Sequence, residues 1–198
     1  QGRDRFLGRE ARFSGMTEQQ QYIVLDRQGS VELRRYGACT VADVVVRGSQ
    51  EQAGNAAFRP LIRYISGHNE TRHKLAMTAP VVQEQAGERL AMTAPVMQQS
   101  AGPDSWTVSF VLPGGRALEA YPIPSDPQVT LRHVPEHTAA ALRWSGRWTQ
   151  ANVARRTQEL RQAITSAGWV AQGSPRWARF DPPWKPPFAR RNEIVISV

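Results

Sequence analysis

The chain has 198 residues, of which 40% are hydrophobic and 21% are charged, and its formal net charge is +8. This composition supports a sizeable core, arranged as one large domain or two small ones. No apolar run approaches the roughly 18 residues that a membrane-spanning helix needs, and a single cysteine, Cys39, excludes both an intramolecular disulfide and a cysteine-based metal cluster.

The first fifteen residues do not have the character of a folded segment. Gln1–Gly2 is what a protease leaves after removal of a tag, and Met16 is compatible with a native start. We therefore expect residues 1–15 to be a tag-derived or disordered leader, and residues 16–198 to form a single domain.

The first predicted strands lie at 31–33 and 41–46, where β-branched residues are frequent. Ser49 is suited to cap a following helix, and Gly67 is suited to end it. Pro60 lies within this helix and predicts a kink or a delayed start. The helix itself is predicted from four apolar residues at helical spacing: Phe58, Leu61, Ile62 and Ile65.

The motif LAMTAPV occurs twice, at 75–81 and 90–96, around an Ala-Gly turn at 86–87. Its residue types contain no recognised nucleophile or metal-ligand set, so paired structural strands are the simplest interpretation. The thioethers of Met77 and Met92 could also face an apolar ligand, because they pack well against flat rings.

The second half of the chain repeats the order of the first. Strands are predicted at 106–112, 129–132 and 138–144, a helix at 149–167, and a last strand at 193–198. Thr149 and Gly168 are the predicted ends of the helix.

An internal repeat supports this organisation. Residues 31–53 align without gaps to residues 129–151, with eight identities in 23 positions. Each copy is predicted to contain a strand, a turn, a second strand, a glycine and a helix, in that order. The sequence therefore predicts an α+β fold in which duplicated strand–helix halves form a curved antiparallel sheet or distorted open barrel with two helices packed on it. Such an arrangement leaves a cleft along the pseudo-symmetry axis.

The positive charge is concentrated in residues 142–191, which contain ten Lys or Arg residues and two acids. A basic face attracts anions, but no helix-turn-helix, zinc-finger or RNP-type pattern is present, so we do not expect nucleic-acid binding. The histidines do not form the helical pairs typical of zinc sites. Nucleophile-elbow, dinucleotide-binding and phosphate-loop motifs are also missing from the sequence.

The segment 180–198, FDPPWKPPFARRNEIVISV, combines rigid prolines with aromatic and cationic side chains. Trp184 and Phe188 provide apolar surface, and Lys185, Arg190 and Arg191 provide charge. This combination is typical of the wall of a site for a flat anionic molecule, although the aromatic side chains could instead pack against the sheet edge.

Five segments together resemble the SOUL haem-binding protein family, in that family's order: VELRRYG, RYISGHN, KLAMTAPV, WSGRW and DPPWKPPFARRNE. The resemblance covers about 22–198. It implies the duplicated strand–helix fold and the binding of haem or a free porphyrin in an apolar cleft beside the first helix.

Carried over to this sequence, the resemblance places Phe58, Leu61 and Ile62 in the cleft. It also places Arg63 and Lys185 against the propionates, a pairing of cation and carboxylate that is physically sensible. Another basic family position is occupied here by Asn55.

The resemblance also bears on iron ligation. Where one branch of the family has been proposed to ligate iron through a histidine, this sequence has Arg35, which does not ligate iron under ordinary conditions. We therefore predict no metal ligand. The repeat places His133 opposite Arg35, and this coincidence makes His133 only an alternative axial ligand. Haem or porphyrin is thus the expected cofactor, and it is not required for folding.

An enzymatic alternative remains open. The fold resembles that of bacterial small-molecule sensing domains of the gyrase-inhibitor type, which in some members can hydrolyse ligands with a buried glutamate. Glu193 would be the general base in that case, but a structural ion pair with Arg190 or Arg191 is the favoured interpretation. We therefore expect a binding protein (a carrier, buffer or sensor) rather than an enzyme.

The expected partner is a flat hydrophobic anionic small molecule. The expected state is a cytoplasmic monomer or weak oligomer. A leader removed before this sequence begins would leave no trace in it.

Overall fold

The computed structural model describes residues 20–71, 87–92, 95–181 and 185–198. Within them lie two α-helices, α1 (Gln50–Ile65) and α2 (Gln150–Ser166). The strands are β1 (Tyr22–Gln28), β2 (Val31–Tyr36), β3 (Cys39–Arg47), β4 (Asn69–Glu70), β5 (Val96–Gly102), β6 (Ser105–Val111), β7 (Ile123–Pro124), β8 (Thr130–Val134), β9 (His137–Trp144), β10 (Gln172–Arg179) and β11 (Asn192–Ser197). No helix in these ranges is both long enough and apolar enough to cross a membrane.

Nine strands form one antiparallel sheet in the order β1-β2-β9-β11-β10-β5-β6-β3-β8, and β4 pairs separately with β7. The β5–β10 pair divides the sheet into two sides, and each side corresponds to one copy of the repeat. The copies also exchange strands, because β2 pairs with β9 and β8 pairs with β3. The predicted duplicated fold is confirmed, and each half contributes one strand to the other half's side of the sheet.

The sheet is strongly curled. β2 and β3 are joined by only two residues, Gly37 and Ala38, yet they lie six positions apart in the sheet. In a flat sheet they would be ~29 Å apart, whereas the connection from Tyr36 to Cys39 spans at most ~11 Å. The connection from β8 to β9 imposes the same constraint. The result is the predicted open barrel, which is not closed between its edge strands β1 and β8.

Both helices pack on the outside of this curl. α1 covers a core that includes Tyr64, Phe110 and Leu112, and α2 covers a second core that includes Leu160 and Ile194. The predicted helix caps are confirmed. The backbone N–H of Gln52 donates to Ser49 Oγ at 3.4 Å, and that of Asn152 donates to Thr149 Oγ1 at 3.3 Å. Each cap satisfies a donor that a helix start otherwise leaves unpaired.

Some local predictions differ from the structure. β1, β10 and the two-residue strands β4 and β7 were not predicted. β10 (QGSPRWAR) contains glycine and proline, which are rare inside strands. Its pairing with β11 jumps from Gln172↔Ser197 to Arg176↔Val195, so Pro175 lies in an irregular stretch of the ladder. α1 continues through Pro60 without the delayed start.

The extended run predicted from residue 90 becomes a strand only at Val96. Residues before it are bound to the end of α1, since the Leu90 N–H donates to the Ile65 carbonyl at 2.7 Å and Asn69 bonds to the Glu88 backbone. The first LAMTAPV run lies outside the described residues.

Candidate ligand-binding site

An apolar strip bordered by two arginines runs along the outer side of α1. Phe58 is 42% exposed and its ring meets the buried Phe110 edge-on at 5.8 Å between centroids. Ile62, one turn later, is half-buried, and Arg59 and Arg63 are exposed. No side-chain ion pair of either arginine is found in the described part of the chain. We call Phe58, Arg59, Ile62 and Arg63 the α1 strip.

The remaining helix residues expected at the site occupy other positions. Leu61 is fully buried in the core beneath α1, so in this conformation it supports the strip from below. Asn55 is exposed. Arg59 was not identified from the sequence, although Phe-Arg at 58–59 recurs as Ile-Arg at 62–63, and residues four apart share a helix face.

The C-terminal loop between β10 and β11 is held by Asp181. Lys185 Nζ lies 2.5 Å from Asp181 Oδ1, and the Arg191 backbone N–H donates to Asp181 Oδ2. Burial alone would raise the pKa of Asp181, but these hydrogen bonds and the nearby positive charges hold that pKa below its usual value. Lys185 is therefore already paired. Met77 and Trp184, the other ligand-binding candidates, lie outside the described residues.

A second concavity lies on the opposite face of the sheet, inside the curl. This inner cleft is narrow, with a volume of about 20 Å³. Part of its wall is aromatic: Tyr36 stacks on His137 at 5.4 Å and meets Tyr22 at the same distance. The residues that line it are Gln20, Tyr22, Tyr36, Pro95, Met97, His137, Arg176, Ala178, Phe180, Glu193 and Val195.

Glu193 lies in the inner cleft at 2% exposure and is paired on both carboxylate oxygens. Arg34 Nη1 donates to Oε2 at 2.7 Å, and Arg191 Nη2 donates to Oε1 at 2.7 Å. The structure thus contains the expected ion pair with Arg191, and it adds Arg34, which the sequence did not indicate. Burial alone would lower the pKa of Arg34, but the hydrogen bond and charge of Glu193 raise it above the ordinary value.

Arg176 faces the inner cleft without an acidic partner among the described residues. Its Nη2 lies 2.9 Å from His137 Nε2, and His137 Nδ1 lies 3.0 Å from the Pro135 carbonyl. Because Arg176 can only donate, His137 is neutral with its proton on Nδ1. Burial lowers the pKa of His137, which agrees with this state.

The residues of the α1 strip fit the ring and the carboxylates of a porphyrin, but they include no axial ligand for iron. His133, the candidate ligand, is exposed on the edge strand β8, where it pairs with Thr40 of β3. Arg35 is exposed on β2. No cluster of three metal-ligating His, Cys, Asp or Glu side chains occurs in the ranges that the structure describes.

The architecture defines a class of α+β proteins in which two strand–helix halves share one curled sheet around a cleft. The family is shown by sequence: the model described as "SOUL heme-binding protein" matches residues 17–197, and the chain belongs to this family. No curated protein matches the chain in sequence.

Solved structures share the fold at low sequence identity. The EcmrR C-terminal domain is 14% identical with a TM-score of 0.58, over 84% of this chain and 95% of that one. A protein described as a hydrolase from Listeria innocua is 13% identical with a TM-score of 0.56, over 87% and 93%. An uncharacterized conserved protein from Listeria innocua is 12% identical with a TM-score of 0.54, over 92% and 93%. These similarities establish the fold alone.

Proposed function

We propose that this protein binds haem or a related tetrapyrrole on the α1 strip, as a carrier, buffer or sensor. The observation that carries the proposal is the apolar pair of exposed Phe58 and half-buried Ile62, bordered by two arginines that have no acidic partner among the described residues. A porphyrin presents the complementary chemistry, since a flat apolar ring carries two carboxylates at one edge. Membership of the SOUL family supports the same ligand class.

Each residue has a defined task in this proposal. Phe58 and Ile62 pack against the ring, and Arg59 and Arg63 attract the carboxylates through charge-assisted hydrogen bonds. Lys185 would join them only by leaving Asp181. Haem, when bound, would supply the redox and ligand-binding chemistry of its iron, and the protein residues named here bind and orient the ring.

A titration with haemin and, separately, with metal-free protoporphyrin tests the proposal. We expect saturable one-to-one binding of both, followed by absorbance and tryptophan quenching, because the strip holds the ring without requiring iron ligation. The variant Phe58→Ala should weaken both affinities about fivefold, since an aromatic contact contributes about 1 kcal/mol. Ile123→Ala, which alters a residue of similar exposure at 44%, is the control. The absence of saturable binding of either compound would overturn the proposal.

A hydrolase acting through Glu193 is the second candidate. The observation that favours it is that Glu193 lines the inner cleft, and a protein of the same fold from Listeria innocua is described as a hydrolase. The two arginines bound to Glu193 oppose it, because a general base needs a free lone pair directed at the substrate. Replacement Glu193→Gln separates the two candidates. Porphyrin binding should survive it, whereas ester or amide hydrolysis dependent on this carboxylate should be lost.

A further inference from the structure

Arg179, at the end of β10, carries a positive charge that forms no ion pair with any described residue. Its guanidinium lies 4.1 Å above the centre of the Trp148 ring. Its Nε and Nη2 atoms are buried and have no hydrogen-bond partner among the described residues. No ion pair of Arg179 occurs in the part of the chain that the structure describes.

A buried positive charge of this kind is stabilised when an anion lies beside it. Taking a guanidinium out of water is costly unless an opposite charge or hydrogen-bond acceptors replace the solvent. Burial lowers the pKa of Arg179 to about 10. The negative charge of Glu51 opposes this shift, and the positive charge of Arg190 makes a smaller contribution in the same direction as burial. Arg179 is still protonated at neutral pH. Glu51, on the exposed first turn of α1, does not reach ion-pair distance.

The guanidinium lies at one end of the α1 strip. A Cβ atom added at Gly54 would lie 3.5 Å from Arg179 Nη1, so the missing side chain of Gly54 leaves this nitrogen uncovered by α1. Gly54, Phe58 and Ile62 are spaced four residues apart and lie on one side of the helix. With a rise of 1.5 Å per residue, Gly54 is ~6 Å from Phe58 and ~12 Å from Ile62 along the axis. The positive end of the α1 dipole is at the same place.

We propose that Arg179 binds a carboxylate of the ligand whose ring lies on the α1 strip, and that Gly54 is required for this contact. The inference rests on the proposed function and adds a residue that fixes the orientation of the ligand. One carboxylate points toward the first turn of α1, where Nη1 of Arg179 lies beside Gly54 and the guanidinium has no ion-pair partner among the described residues. Glu51 is the competing anion at this end, so the ligand carboxylate must approach against its repulsion.

The test compares protoporphyrin with its dimethyl ester, which keeps the ring but has no negative charge. In the wild-type protein we expect the free acid to bind at least tenfold more tightly than the ester. Arg179→Met should reduce this preference severalfold and leave the affinity for the ester unchanged, because one carboxylate contact is lost while Arg59 and Arg63 remain. Arg155→Met, at an exposed arginine of α2, should keep the full preference.

Two further variants keep the charge of Arg179 in place. Gly54→Leu puts a side chain against Nη1 and should reduce the preference for the free acid, whereas Glu51→Gln removes the competing anion and should increase it. If the wild-type protein binds both compounds and either Arg179→Met or Gly54→Leu retains the full preference, the role of Arg179 is wrong while the proposed function stands. If the wild-type protein binds neither compound, the proposed function itself fails.

Discussion

At the scale of single residues, Arg34 and Glu193 form a buried ion pair. Both side chains are almost fully buried, at 3% and 2% exposure. Arg34 also contacts Glu32 at 2.7 Å, and Glu193 also contacts Arg191 at 2.7 Å. Each buried charge thus has more than one opposite charge, which offsets the cost of removing it from water. The hydrogen bond from Arg34 to the Tyr36 hydroxyl extends this network toward the inner cleft.

Removal of Arg34 tests how strongly the network depends on it. Arg34→Met should lower the free energy of unfolding by about 3 kcal/mol, at the lower end of the range for broken buried pairs because Arg191 still neutralises Glu193. Arg27→Met, which removes an arginine that is 67% exposed from the neighbouring strand, should change stability by less than about 0.5 kcal/mol. Urea unfolding measures both variants, and equal effects would contradict a special role for the buried pair.

At the scale of secondary-structure elements, Pro60 is unfavourable for the helix that contains it. It lies inside the continuous helix α1. Proline there lacks the N–H that would bond to the carbonyl four residues earlier, and its ring crowds that carbonyl. α1 therefore depends on its packing against β3 and β6 and on the Ser49 cap for its stability.

Replacement of Pro60 by alanine should stabilise the protein, because the missing hydrogen bond is restored. We expect an increase of about 1 kcal/mol or more in the free energy of unfolding, measured by thermal or urea denaturation. Ala56→Pro would place a second proline in the helix and should act in the opposite direction. An unchanged or lowered stability of Pro60→Ala would show that the surrounding structure requires the proline conformation.

The loop between β10 and β11 gives a pH-dependent prediction. The pKa of Asp181 is lower in the folded protein than its ordinary value, so its contribution to stability is present above about pH 4 and is lost as the pH falls further. Asp181→Asn should therefore cost about 1–2 kcal/mol at pH 7 and much less at pH 3. Urea unfolding at both pH values measures the difference, with the exposed Asp26→Asn as control. A cost that does not shrink at pH 3 would exclude the charge of Asp181 as its cause.

At the scale of the whole molecule, the exchanged strands make the two halves depend on each other. β2 completes the sheet of the second half, and β8 completes that of the first. The Trp106 and Trp177 rings, from the two sides of the β5–β10 pair, also meet at 5.8 Å. Neither half keeps its full set of strands without the other, which is the physical basis for proposing one domain.

Unfolding should consequently be a single cooperative transition. Far-ultraviolet circular dichroism and tryptophan fluorescence should give the same urea midpoint, because no half can remain folded alone. Fluorescence reports on both halves, since Trp106 lies on β6 and Trp144 on β9. Two separated transitions would show that the halves are independent domains.

Sequence reasoning was most successful where the signal is local. Helix spacing and the Ser49 and Thr149 caps predicted both helices to within a residue or two, since these features depend on neighbours in the chain. The repeat predicted the duplicated architecture, and five motifs distributed along both halves of the chain led to the family. β10 was not predicted, because its polar sequence has little strand character and its conformation is determined by pairing with β5 and β11.

By itself, the sequence determined the fold class, the two helices with their ends and the family, because residues within a few positions of each other specify helix spacing, caps and motifs. Only the tertiary structure decided which charges are paired and which are not. Arg34 and Glu193 are 159 positions apart, and Arg179 approaches Gly54 from a different element. Such contacts depend on strand register and on the curl of the sheet, and these follow from pairing across the whole chain rather than from any local segment.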